Sequence, residues 1–276
     1  MFDLHVHAGP DVVNRAGDDV DTVARYEAAG FWGCVLKGHY DTTTGRAAAA
    51  ARGSTVDAFG GVTLNQHVGG VNPAAVAAAL DMGARVVWMP TADAHTQRAA
   101  GLPRLCGEHP GLAGDVYATP PVDWSTAGAV RQICRLVADT DAVLATGHLS
   151  APEVSWLLAT ARRQGVRRLL MTHPSFVVPA MSAAQAAELA DRGAYVELTA
   201  YQLFRQPGCD AAMLAAFARE VGLDRVVLSS DAGHPEMPPP PEALAHLIDA
   251  LAHAGLDRGA LDAATADTPA ALVTPG

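Results

Sequence analysis

The chain has 276 residues, half of them hydrophobic and only 5% aromatic, which suits one large α/β domain with an aliphatic core. Its formal net charge of −10 argues against a nucleic-acid partner. No apolar run reaches the roughly 18 residues that a membrane span needs.

The opening segment, MFDLHVH, has neither a basic start nor an apolar stretch of the kind a secretory signal carries, so a cytoplasmic protein is expected. Cys34, Cys106, Cys134 and Cys209 are scattered and contain no C-x-x-C pair, so neither a disulfide framework nor a structural zinc knot is expected.

Eight short aliphatic runs follow one another along the chain: FDLHVH, WGCVLKGH, VDAFGGVTLN, RVVWMPT, AVLATGHL, RRLLMTHP, AYVELTA and RVVLSSD. Runs this short and apolar suit strands buried on both faces of a parallel sheet. Their polar ends fall at His7, His39, Asn65, Thr91, His148, His173, Thr199 and Asp231, at intervals of 32, 26, 26, 57, 25, 26 and 32 residues. All but one interval match a single strand-helix unit. The long one, from Thr91 to His148, must hold an insertion, expected around residues 95–123 and richest in Pro and Gly from Gly101 to Pro121.

Helix ends are readable between the runs. Asn72-Pro73 is an N-cap followed by proline, Ser150 with Glu153 is a capping box, and Gly30, Gly83, Gly165, Gly193 and Gly222 each close a helix before the next strand. Eight such units predict a single-domain (β/α)8 TIM barrel over residues 1–276. An open doubly wound sheet is the alternative. It would usually carry a Gly-rich phosphate loop after the first strand, and HAGPD is not one.

In such a barrel, side chains at the C-terminal ends of the strands meet around one rim. His5 and His7 alternate on the first strand and share a face, so both imidazoles can clasp one ion. His148 and His173 end the fifth and sixth strands, and Asp231 ends the eighth, where a buried carboxylate is costly without a cation. Taken singly, these histidines would read as structural and Asp231 as a helix N-cap. Together they read as ligands. Glu197, inside the seventh run, receives no assignment.

His-x-His on the first strand, His on the fifth and sixth and Asp on the eighth resembles the amidohydrolase superfamily of metal-dependent hydrolases. With no extension before the first strand, the chain looks most like its compact phosphotriesterase-like and TatD-like members. The resemblance implies zinc, as one or two ions, with manganese or iron as alternatives. It implies a small-molecule substrate cleaved at an amide, lactone, ester or phosphoester bond by activated water, with Asp231 moving the proton.

The chain departs from the superfamily pattern on the fourth strand, which offers no bridging Lys or Glu. Lys37, on the second strand, is the candidate for that role as a carbamate; the alternative is an ammonium paired with Asp231 or with a substrate anion. With a single metal, His173 would be catalytic and not a ligand. Substrate candidates are His39, Arg15, which could grip a carboxylate or phosphate, His95, Tyr201 and His234. A non-oxidative decarboxylase, a polymerase-and-histidinol-phosphatase-like phosphoesterase and an inactive metal-binding barrel are the competing readings. The weakly charged, alanine-rich surface is compatible with a homo-oligomer.

Overall fold

The computed structural model describes residues 1–107 and 114–274. Residues 108–113, in the middle of the expected insertion, lie outside them. The strands are β1 (Phe2–Val6), β2 (Gly33–Leu36), β3 (Asp57–Phe59), β4 (Gly61–Thr63), β5 (Val86–Trp88), β6 (Val143–Ala145), β7 (Arg168–Met171), β8 (Tyr195–Thr199) and β9 (Val226–Ser229). The helices are α1 (Asp19–Ala28), α2 (Thr44–Ala50), α3 (Pro73–Asp81), α4 (His95–Ala99), α5 (Ala127–Asp139), α6 (Ala151–Arg163), α7 (Ala183–Asp191), α8 (Ala200–Arg205), α9 (Ala211–Val221), α10 (Pro240–His253), α11 (Arg258–Thr265) and α12 (Asp267–Val273).

Every pair of neighbouring strands is parallel, in the order β1-β2-β3 and then β4 through β9. The ring closes where the Asp231 amide donates to the His5 carbonyl at 2.8 Å and the His7 amide to the Ala232 carbonyl at 2.9 Å. This is the expected (β/α)8 barrel. No described helix is long and apolar enough to cross a membrane.

One expected strand is broken in two. The run VDAFGGVTLN forms β3, which pairs with β2, and β4, which pairs with β5. The bend falls at Gly60-Gly61 because the Thr43 segment presses against it. A Cβ on Gly60 would meet Thr43 backbone at 2.5 Å, and Thr43 Oγ1 accepts the Gly61 amide at 3.0 Å. Only glycine admits so close an approach.

Two apolar layers result. Val6, Cys34, Leu36, Val87, Leu144, Leu169 and Leu228 pack outward against helix residues such as Tyr26, Ile133 and Leu157. Phe2, Leu4, Val35, Val86, Trp88, Val143, Leu170 and Val227 fill the interior together with Ala270, Leu272 and Val273 of α12. The last helix therefore plugs the floor. Arg168 Nη1 donates to the carbonyls of Leu272 and Thr274, both at 2.7 Å, and Arg85 Nε to that of Val273 at 2.6 Å. The caps form as read: Asn72 accepts the Ala74 amide, and Ser150 and Glu153 satisfy each other.

Candidate metal centre

Strict alternation along β1 would put Leu4 and Val6 on one face and His5 on the other. The register against β2 shifts between Asp3 and Val6. Leu4 therefore joins the interior, Val6 the outer shell, and His5 and His7 both turn inward. The shift strands backbone donors, and Asp3 collects them: its Oδ1 accepts the amides of His5 at 3.1 Å and Ser230 at 3.0 Å, while Tyr26 of α1 donates its hydroxyl to Oδ2. Burial pushes the Asp3 carboxyl up, and those donors oppose the shift.

At the rim, His5 Nε2 and His7 Nε2 lie 3.2 Å apart, and Asp231 Oδ1 lies 3.1 Å from the first and 3.2 Å from the second. Among the described residues, these three form the group of donor atoms that could hold a metal ion. The triangle tests the fit. Ligand atoms about 2.1 Å from one ion sit about 3.0 Å apart in an octahedral arrangement and about 3.4 Å apart in a tetrahedral one. Edges of 3.1–3.2 Å fall between these values, and two imidazoles with a carboxylate are the ligand types that zinc, manganese and iron accept. The residues fit a divalent cation.

Behind the triangle stands Glu197 of β8, fully buried, its oxygens 3.2 and 3.3 Å from His5 Nδ1. A carboxylate on Nδ1 keeps the proton there and turns the Nε2 lone pair toward the cluster. Burial works against charging His5, but Asp231 and Glu197 outweigh it and raise its pKa to about 9. Asp231 is held well below the usual carboxylate range: burial opposes ionisation, and His5 with its hydrogen bonds overcomes it. The cluster is built to hold positive charge.

Lys37 enters the same cluster, with Nζ 3.0 Å from His5 Nε2 and 5.6 Å from the Trp88 ring centre. Burial lowers its pKa to about 8 against the pull of Asp231 and Glu197. His148 and His173 lie beside the triangle and outside it. Their rings are 5.1 Å apart, the His173 ring stacks 6.0 Å from that of His5, and His173 Nε2 is 4.0 Å from Asp231 Oδ2. His148 Nδ1 rests 3.1 Å from Gln97 Oε1 of α4, which leaves Nε2 free. The Nδ1 atoms of His7 and His173 are buried without a hydrogen-bond partner.

The substrate candidates divide. His39 stacks on His7 at 4.8 Å, with Nδ1 3.1 Å from Thr91 Oγ1, and Tyr201 packs edge-on against Phe176, which in turn touches His173. Arg15 lies on the first loop in an ion pair with Asp11. His95 Nδ1 lies 3.5 Å from buried Glu153 of α6, and His234 Nδ1 accepts the Glu236 amide in its own turn. The sequence left Glu197 unassigned, although a charged residue inside the apolar run YVELT was a signal: it must be paired to be buried.

Solved structures similar to this one span almost the whole chain. A TatD homologue of Escherichia coli K12 aligns at a TM-score of 0.58 and 16% identity, covering 100% of this chain and 98% of that one. An organophosphorus hydrolase of Deinococcus radiodurans aligns at 0.65 and 12%, covering 99% and 92%. An amidohydrolase of Pseudomonas aeruginosa aligns at 0.61 and 11%, covering 99% and 94%. Likeness at this identity establishes the barrel fold. A search of curated proteins returned no match to the sequence. The model of the family of unknown function DUF6282 matches residues 1–197, which include His5, His7, Lys37, His148, His173 and Glu197 but not Asp231, and the chain belongs to that family.

Proposed function

We propose that the protein is a metal-dependent hydrolase acting on a small molecule at an amide, lactone, ester or phosphoester bond. The observation that carries this reading is the convergence of His5 Nε2, His7 Nε2 and Asp231 Oδ1 to within 3.2 Å of one another, on strands that the chain visits first and last. These residues would hold the cation, zinc being the first candidate with manganese or iron as alternatives. Such a cation makes water acidic enough to act as a nucleophile near neutral pH and polarises the bond that is attacked.

The protein's own groups would do the rest. Asp231 turns Oδ1 to the histidines and keeps Oδ2 on the side of His173, 4.0 Å from Nε2. Ionised at neutral pH, it accepts the water's proton at Oδ2 and returns it to the leaving group, a role worth about 10² to 10⁴-fold. Glu197 fixes the tautomer of His5. His173, held neutral because burial lowers its pKa to about 4, can donate or accept a hydrogen bond but carries no charge at pH 7.

Lys37 supports a second possibility, a two-ion site. Burial leaves its amine partly unprotonated near pH 8, the form that combines with CO2 and releases a proton to give a carbamate. That anion, with His148 and His173, would complete a second position.

Elemental analysis of purified protein tests the reading. The wild type should carry at least one equivalent of zinc, manganese or iron, and the His5→Ala, His7→Ala variant should lose it while staying folded. A panel of amides, lactones, esters and phosphoesters, each neutral or carrying a further anionic group, should contain compounds hydrolysed by the wild type and at least about 10²-fold more slowly by Asp231→Asn. Unchanged metal content in the double variant would refute the site, and a metal-bound protein inert across the panel would refute the hydrolase.

A further inference from the structure

The loop from Gly9 to Asp19 crosses the rim beside the cluster and is fastened by backbone hydrogen bonds, with Arg46 holding its last residue, Asp19. The Gly9 amide donates to Gly17 at 2.8 Å, the Asp19 amide to Gly9 at 3.1 Å, and the Ala16 amide to Gly233 at 2.9 Å. Gly233 follows Asp231 by two residues and lies so close to His7 that a Cβ there would come within 2.0 Å of its carbonyl. Arg15, next to Ala16, is thereby seated where the β1 and β9 loops meet.

Its side chain is 9% exposed and its partner Asp11 only 4%. Asp11 takes one edge of the guanidinium, with Oδ2 2.7 Å from Nε and 2.6 Å from Nη2. Among the described residues no other group hydrogen-bonds or ion-pairs with Arg15, so the edge formed by Nη1 and the outer proton of Nη2 is unengaged. Arg46 shows what a fastening arginine does in this protein: it joins Asp19, Asp41 and the Ala8 carbonyl from three separate segments. Arg15 joins nothing but the residue four positions before it. Its charge is nevertheless felt by His7, Lys37, His39 and Tyr201, which surround the mouth of the site.

We propose that the free edge of Arg15 is an oxyanion subsite, so that the substrate carries a carboxylate or phosphate group in addition to the bond that is cleaved. A guanidinium edge presents two parallel N–H donors matched to such a group, and Asp11 holds the fork in place before the ligand arrives. This rests on the reading of the His5, His7 and Asp231 cluster as the reacting centre, which Arg15 overlooks from the first loop.

The full-length protein is titrated by calorimetry with glutarate, a dicarboxylate, and separately with methyl phosphate, the stronger binder telling carboxylate from phosphate. Arg15→Gln should weaken the preferred probe about 10- to 100-fold, the scale of lost charge-assisted hydrogen bonds. Asp11→Asn keeps an oxygen that can accept from Nε and Nη2 but removes the negative charge beside the subsite, so it should tighten the preferred probe in the wild-type Arg15 background and not in Arg15→Gln. Equal affinity in Arg15→Gln, or no binding of either probe by the folded wild type, overturns the subsite. Binding lost in His5→Ala, His7→Ala but kept in Arg15→Gln also overturns it, because the anion would then sit on the cluster. Hydrolysis of the amide, lactone, ester and phosphoester panel is read separately, so an enzyme inert across it that binds glutarate through Arg15 would sink the hydrolase and leave the subsite standing.

Discussion

Glu197 Oε1 stands 3.2 Å from His5 Nδ1, on the far side of the imidazole from the Nε2 atom that faces Asp231 and His7. A candidate ligand atom and a carboxylate placed to orient it are thus joined through one ring, across 192 residues of sequence.

Glu197→Gln should keep the fold, because an amide oxygen can still accept the Nδ1 proton, and should weaken divalent-cation binding by about 10- to 100-fold. Competition with a chromogenic chelator gives the affinity. An unchanged value would mean that Glu197 merely fills the barrel interior.

The charge on His5 makes the stability of the cation-free protein depend on pH. Its pKa is raised from 6.5 to about 9, so its contribution is fully present below pH 6.5 and is lost as pH rises through 9. Lys37 acts in the opposite sense: its pKa falls from 10.5 to about 8, so the burden of burying its ammonium is present below pH 8 and relieved between 8 and 10.5. Chelator-treated protein should therefore lose thermal stability from about pH 6.5 to 8, with the two effects offsetting between about pH 8 and 9. Melting curves of the wild type and His5→Gln decide the point; parallel profiles would remove His5 as the cause.

The floor of the barrel offers a test that leaves the rim untouched. Leu272 of α12 is 4% exposed and packs with Phe2, Leu4 and Val86 in the interior. Leu272→Ala should cost about 2–5 kcal/mol in urea denaturation. Its metal content should match that of the wild type. A loss of metal would show that floor and rim are coupled.

Much of this was legible in the sequence. The repeat of apolar runs at 25 to 32 residues gave the barrel, because a buried parallel strand and its covering helix have a narrow combined length. The polar end of each run located the rim. Three things were hidden. The break at Gly60 depends on contact with Thr43, a residue from another unit. The shift in β1 that turns His5 inward is paid for by Asp3 and Tyr26, and neither residue announces that task. The α12 plug carries no motif of its own, and its task shows only in the interior that Ala270, Leu272 and Val273 fill.

His173 and Asp231 have φ angles of +24° and +48°, and they are two of only four non-glycine residues in the left-handed region among those described. L-residues adopt that region at a cost of about 1–2 kcal/mol each. The backbone is thus bent out of its preferred shape at the two strand ends whose side chains meet at 4.0 Å. A chain under selection for robustness alone would place glycine or asparagine there, so these two positions mark where usefulness and durability pull this barrel in opposite directions.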